Sequence, residues 1–355
     1  MNEKPILGIT MGDPSGIGPE ISVKALSLEK IYGLCRPVII GDAGVMEKTI
    51  REVIKRAEIS IHPVSSIKEC LFKFGTIDVY DLHSVELEKL KPGRVDAMSG
   101  ETAFASVKKV IELALAGDID ATITNPLNKE ALNLAGHHYA GHTEIYADLT
   151  HTKDYSMMLA EENLRVVHVS THVSLRTACD RVKKDRVLKV IELAHNTCRS
   201  LGIREPCVAV AGLNPHAGEN GMFGSEETDE IMPAIEAAKE KGIKADGPIP
   251  PDTVFAKAHG GLYDIVVAMY HDQGHIPLKL LGFQYDKSSA KLTAAKGVNI
   301  TLGLPIIRSS VDHGTAFDNA WKGTANELSL ISAIEYGVML AIHKTIPKDC
   351  THSWQ

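Results

Sequence analysis

The sequence predicts an α/β protein built on a mainly parallel sheet. Short continuous runs of Val, Ile and Ala recur along the chain, as strands covered on both faces require. Longer helical patterns separate them, so layers of helix should cover the sheet. Length agrees: 355 residues, 44% hydrophobic and 23% charged, suit two domains or one large α/β unit with a substantial core.

The elements follow in order. Ile6–Thr10 reads as the first strand. Pro19–Ser27 reads as a helix, its proline placed where a missing N–H costs nothing. Strand Pro37–Gly41 and helix Val45–Ala57 come next, then strand Ile77–Asp81, helix Glu101–Ala116 and strand Ile119–Thr124. Strand Arg165–Ser170 leads into a long helix, Ser174–Leu201. Cys207–Gly212, helix Glu226–Lys241 and Asp264–Tyr270 repeat the alternation. Ile306–Ser309 is the last strand expected and Glu327–His343 the last helix. The polar stretch Gln284–Gly297 reads as a surface excursion, and Lys348–Gln355 as a frayed end.

Composition excludes several classes. The formal charge of -7 and an aromatic content of 5% argue against nucleic acid, which needs a basic face or stacking platforms. No apolar run approaches the ~18–20 residues of a membrane span, and the N-terminus does not read as a signal peptide. Six cysteines without a C-x-x-C pair read as reduced, mostly buried thiols. A cytoplasmic protein without membrane or nucleic-acid partners is expected. Sixteen histidines suggest imidazole used for protons, metal or phosphate.

The histidines cluster in motifs. His172 lies just past one expected strand, and His216, in Asn214-Pro215-His216-Ala217-Gly218-Glu219, follows another. His271, in Tyr270-His271-Asp272-Gln273-Gly274-His275, follows a third. Ligands of open α/β sheets bind beyond the carboxyl ends of strands. Three imidazoles from separate loops can make a divalent-metal site with open positions, although a single histidine at a strand end is more often a local hydrogen-bonder. Asp272 serves equally as an orienting carboxylate, a proton acceptor or a helix N-cap. Lys279, Asn299 and Arg308 can clamp a phosphate or carboxylate, against the plain alternative of solvated surface. Gly12-Asp13-Pro14-Ser15-Gly16-Ile17-Gly18-Pro19-Glu20 follows a strand and opens a helix. It reads either as an anion site or as a tight turn using glycine. It matches no nucleotide fingerprint. Asp312-His313-Gly314-Thr315 alone reads as a loop before a helix.

Taken together, these segments resemble the 4-hydroxythreonine-4-phosphate dehydrogenase family of vitamin B6 biosynthesis. The resemblance runs over nearly the whole chain, through Gly8–Glu20, Gly212–Glu219, Tyr270–Gly274, Asn299–Pro305 and Asp312–Ala316. The last loop is also similar to the nucleotide-binding loop of isopropylmalate dehydrogenases. The resemblance implies a two-domain α/β/α fold of the isocitrate/isopropylmalate dehydrogenase kind, with domains at 1–125 plus 305–355 and at 126–304. It implies an NAD-dependent homodimer whose active sites lie between domains and draw on both subunits. His172, His216 and His271 match its ligands for a divalent metal (Zn, Mg, Mn or Co). His142, Thr143, Lys279, Asn299 and Arg308 match its substrate contacts. Asn299, Leu302, Asp312, His313, Gly314 and Thr315 fall where NAD is expected.

Two departures from the B6 enzyme stand out. The stretch Phe283–Gly297 separates Lys279 from Asn299, and His275 replaces an apolar residue. The pattern looks more like a paralogous branch acting on 4-phospho-D-threonate or 4-phospho-D-erythronate. The reaction implied is oxidation of a 4-phosphorylated 3-hydroxy acid, then decarboxylation, with Asp272, Asp252 and Lys279 as candidate bases. Competing expectations are a phosphate- or acyl-transfer enzyme of the same fold, a catalytically silent binding protein, and a dehydrogenase of an unphosphorylated cyclic diol acid.

Overall fold

The computed structural model describes residues 3–282, 284–286, 291–293 and 296–343; the expected frayed end Lys348–Gln355 lies outside them. In chain order the strands are β1 (Ile6–Thr10), β2 (Arg36–Gly41), β3 (Ser60–Val64), β4 (Thr76–Asp81), β5 (Ala121–Thr124), β6 (Ser156–Glu161) and β7 (Leu164–His168). After them come β8 (Val208–Ala211), β9 (Ala245–Ile249), β10 (Ile265–Ala268), β11 (Gln284–Asp286), β12 (Lys291–Thr293), β13 (Val298–Leu302) and β14 (Arg308–Val311). Twelve join one sheet in the order β3-β4-β2-β1-β5-β14-β13-β6-β7-β10-β8-β9. β11 and β12 form a separate antiparallel pair within the stretch expected as a surface excursion.

The large sheet has two parallel halves. They meet across the antiparallel ladder β14-β13-β6-β7. β5, β8 and β10 are buried at every position, which is why β8 and β10 read as unbroken apolar runs. The sheet is continuous across the two segments expected as domains, through the β14–β13 pairing.

Each expected strand and helix lies on or near an observed one, with three notable changes. The helix expected over Ser174–Leu201 is two helices, Leu175–Asp180 and Lys184–Ser200. Its buried stripe, Val187, Val190, Ile191, Ala194 and Cys198, belongs to the second piece. The break is fixed by Glu230, which accepts hydrogen bonds from Lys184 N and Lys183 Nζ, both 2.8 Å. Val45–Ala57 is an α-helix, Ala43–Lys48, that widens into a π-helical turn over Thr49–Ile54. Likewise Glu226–Lys241 begins as a wide turn, Glu227–Ile231, before the helix Met232–Glu240. Short helices at Lys129–Leu134 and His142–Leu149, and longer ones at Pro251–His259 and His271–Gly282, complete the parts that matter to the site.

The Gly12–Glu20 segment is a buried turn. Gly12 has φ +77, and a Cβ there would lie 2.6 Å from Pro126 O. Asp13 N donates to that same oxygen at 2.9 Å. Glu20 accepts from Ala325 N at 2.7 Å and Lys24 Nζ at 2.9 Å, pinning the loop after Trp321. The segment therefore supports the cleft floor at Pro126 and does not itself line the cleft.

Among the described residues, no helix is long and apolar enough to cross a membrane. Five cysteines there are free thiols.

Candidate active site

An open cleft of about 360 Å³ lies where β5 and β14 end. Pro126, Leu127 and Lys129 come from beyond β5, Gly141 to Glu144 from the start of a helix, and Asp312 to Gly314 from beyond β14. Asn299 and Met157 enter from the antiparallel ladder.

Arg308 forms the floor. It opens β14 opposite Thr301 of β13 and beside Thr122 of β5, and it is 3% exposed. Its guanidinium donates to Thr301 Oγ1 at 2.7 Å, Thr124 Oγ1 at 3.0 Å and Thr143 Oγ1 at 3.4 Å. The cation sits 5.4 Å from the centre of the Tyr146 ring. Burial lowers its pKa only to about 10, so it is charged at neutral pH. No ion pair among the described residues includes it, and Nε has no partner. An unpaired buried charge is costly, so the arrangement suits an incoming anion.

Unpaired polar atoms surround that cation. His142 Nε2, Asn299 Oδ1 and His313 Nε2 are shielded and lack partners. Asn299 spends its amide N–H on Met157 Sδ at 3.0 Å. Burial, helped by Arg308, holds the His142 pKa well below its usual value, so the ring is neutral. Burial also lowers that of His313. Lys279 reaches the cleft through an ion pair with Asp312, a lining residue.

The histidine end is built differently. His172 lines the cleft and an adjoining larger cavity of about 620 Å³. The His172 and His271 ring centres are 5.7 Å apart. Asp272 Oδ1 lies 2.6 Å from His271 Nδ1. A carboxylate only accepts, so Nδ1 donates, and in the neutral ring the lone pair then falls on Nε2, the tautomer a metal ligand needs. His275 stacks on His271 with centres 3.6 Å apart and is followed by buried His168 at 4.8 Å. Burial lowers their pKa values to about 4 and about 3. His216 stands exposed on another loop, packed toward Phe223. Its turn runs left-handed through His216, Ala217, Gly218, Glu219 and Asn220, a conformation costing about 1–2 kcal/mol per non-glycine residue.

Among the described residues of one chain, no three His, Cys, Asp or Glu side chains close into a metal site. The expected trio is therefore not assembled within a single chain; His172 and His271 face one another and His216 does not join them. Other candidates also fall outside the cleft. Asp252 is exposed in the first turn of Pro251–His259 and lines neither cavity. Leu302 is buried and lines a different cavity, which also meets Arg308, with Leu193 and Leu340. Thr315 is buried, its carbonyl accepting from Ile17 N at 3.1 Å. Residues not singled out from sequence do line it, chiefly Lys129, Glu144 and Ser310. Asn128, which caps Ala131 N at 2.8 Å, was a readable signal for the helix carrying Lys129.

Comparison with known proteins places the chain in a family. The family described as pyridoxal phosphate biosynthetic protein PdxA matches residues 33–337. D-threonate 4-phosphate dehydrogenase of Salmonella typhimurium is 50% identical over 339 residues, covering 96% of this chain and all of that one. The crystal structure of 4-hydroxythreonine-4-phosphate dehydrogenase from Klebsiella pneumoniae superimposes with TM-score 0.83 at 46% identity, over 95% of this chain and all of the other. A terephthalate 1,2-cis-dihydrodiol dehydrogenase from Burkholderia xenovorans gives 0.66 at 31%, over 95% and 98%. Fold and kinship make this protein an oxidoreductase of the dehydrogenase class. The chain belongs to the PdxA family.

Proposed function

We propose that the protein is an NAD- and divalent-metal-dependent dehydrogenase that oxidises and decarboxylates 4-phospho-D-threonate. The observation that carries the reading is the buried, unpaired Arg308 cation at the cleft floor, ringed by His142, Thr143 and Asn299. An acidic protein holds an acidic substrate through such a local positive site. The choice of D-threonate over the B6 intermediate draws support from the half-identical Salmonella relative. The stretch Phe283–Gly297 and His275 point the same way.

His172 and His271 fit a metal. Their rings face each other, and Asp272 fixes the His271 tautomer. With the trio open in one chain, a homodimer in which a second copy supplies His216 is the arrangement proposed. Bound in that place, a divalent ion would supply Lewis acidity at the substrate hydroxyl, and NAD, which Asp312, His313 and Gly314 at the cleft would hold, would supply the hydride acceptor. The chain's own residues hold the substrate. Arg308 and Thr143 take the anionic end, neutral His142 offers its shielded nitrogen, and Asn299 offers its carbonyl oxygen. The Lys279–Asp312 pair, at the rim, is the candidate for the hydroxyl proton; Asp272 is engaged with His271. Oxidation at C3 gives a 3-keto acid, whose loss of carbon dioxide follows from its β-keto character.

The test is NADH formation by purified protein given NAD, a divalent metal and, separately, 4-phospho-D-threonate, 4-phospho-D-erythronate or 4-hydroxy-L-threonine 4-phosphate. Highest kcat/KM with the first is expected. Failure with all three overturns the reading, and turnover of an unphosphorylated cyclic diol acid establishes the second reading, for which the dihydrodiol dehydrogenase likeness speaks.

A further inference from the structure

We propose that Glu227 is a positioning residue that holds the His216 loop in its metal-binding shape; this rests on reading His216 as a metal ligand. His216, Ala217, Glu219 and Asn220 have φ of 53, 52, 44 and 55, with Gly218 between them at 80. L-residues enter the left-handed region singly, not in runs. A run of this kind persists only where its surroundings over-determine it.

Glu227 supplies that determination. It is 2% exposed, turned inward by the wide turn Glu227–Ile231 that replaces the first turn of a regular helix. Its Oε1 accepts from the backbone N–H groups of Leu213 and Asn214, both at 2.7 Å. Its Oε2 accepts from Asn214 Nδ2 at 3.0 Å. Glu226 takes the same amide at 2.7 Å. The loop then folds back on that carboxylate: a Cβ on Gly218 would lie 2.7 Å from Glu227 Oε2. The charge is met by N–H donors, and no ion pair among the described residues includes it. Charge-assisted bonds of this kind are the strong ones.

Within the same chain, the base of the loop is also tied to the end of β10 that leads to His271, although in the proposed dimer these two histidines serve different sites. Gln273 donates to Gly212 O at 2.8 Å and accepts from Met269 N at 2.7 Å. Gly212 precedes the His216 turn, and Met269 precedes His271. The ends of β8 and β10 are thus fixed to each other, and Glu227 sets the path of the chain from there to His216. Groups that orient a metal ligand without touching the metal typically affect affinity 10- to 100-fold.

The experiment uses the full chain, stripped of metal and titrated with Co²⁺, reading affinity and visible absorption. Backbone amide exchange over residues 212–224 is followed in the metal-free protein. Glu227→Ala is expected to bind Co²⁺ about 10- to 100-fold more weakly, with an altered spectrum and faster exchange at Leu213 and Asn214. Glu227→Gln keeps one oxygen for the two backbone donors and should recover to within about tenfold of wild type. In a His216→Ala background, Glu227→Ala should add little, because its effect runs through that imidazole. Wild-type affinity and spectrum in Glu227→Ala overturn the proposal, as does a full additional loss on top of His216→Ala. Should wild type bind no Co²⁺, the metal reading itself fails, and unchanged exchange in Glu227→Ala then rejects the loop claim separately. Should Glu227→Ala not fold, Gly218→Ala strikes the same contact and must weaken Co²⁺ binding for the proposal to stand.

Discussion

The two ends of the site are made by different means. At the Arg308 end, sheet register does the placing: β14 sets Arg308 against Thr301 of β13, and β5 brings Thr124. Everything needed to hold the cation sits in one chain. At the histidine end, loops and the start of the His271–Gly282 helix do the placing, and among the described residues one chain leaves the set open. On the function proposed, substrate charge recognition would be built in with the fold, whereas metal capture would depend on loop shape and on assembly. Substitutions at the two ends should fail in different ways.

The largest effect is expected at Arg308. Arg308→Met fills the space without the charge and should lower kcat/KM for the phosphorylated substrate by ~30- to ~4,000-fold, equivalent to about 2–5 kcal/mol. The melting temperature should hold or rise, because an unpaired buried cation is costly. Paired thermal melts and NADH assays check both halves. A large drop in stability would mean that the cation holds the sheet rather than a ligand.

Next comes His271→Ala. Metal retained after desalting should fall from about one ion per site to near none, with the fold intact by circular dichroism. The phosphate end should be untouched, so protection from proteolysis by a phosphorylated substrate analogue should survive. Full metal retention in elemental analysis would remove His271 from the ligand set.

A third difference is in pH response. Burial holds His168 at about 3, below its ordinary 6.5, so the unfolded chain takes up the proton first. Stability from this group is full above about pH 6.5 and falls toward pH 3, by up to ~1.4 kcal/mol per pH unit. Denaturant melts across pH 4–7 should show a shallower decline in His168→Gln than in wild type. The smallest effect is expected for Thr143→Val. It removes one long contact to Arg308, and a loss of about 0.5–1.5 kcal/mol should appear as a roughly twofold to twelvefold rise in KM with kcat unchanged.

The sheet was legible where burial on both faces writes a continuous apolar run, as in β8 and β10. β6 was not legible. Its sequence, Ser-Met-Met-Leu-Ala-Glu, is made largely of helix formers, and its place inside the sheet removes any alternation. The helix His142–Leu149 was hidden because Gly141, without a capping side chain, precedes it. His271–Gly282 was hidden by Gly274 and by Pro277 within it. In the site, Arg308 stood out by residue type on an expected strand and Asn299 in the run of basic and amide residues before it, but the threonines that hold the guanidinium come from β5 and β13, and only non-local register brings them together. Leu302 sits close to Asn299 in sequence, yet its place on β13 turns it into another cavity, and Asp252 is exposed on its own helix. The left-handed turn at His216 had only Gly218 and Asn220 as sequence signs, and its proposed anchor, Glu227, is nine residues beyond Gly218.

The central claim is that Arg308 makes this cleft a site for a phosphorylated acid. The direct measurement compares kcat/KM for 4-phospho-D-threonate with that for D-threonate, in wild type and in Arg308→Met. Wild type should prefer the phosphorylated acid by at least ~100-fold, and the variant should lose most of that preference. A wild type that ignores the phosphate, or a variant that keeps the full preference, would contradict the account.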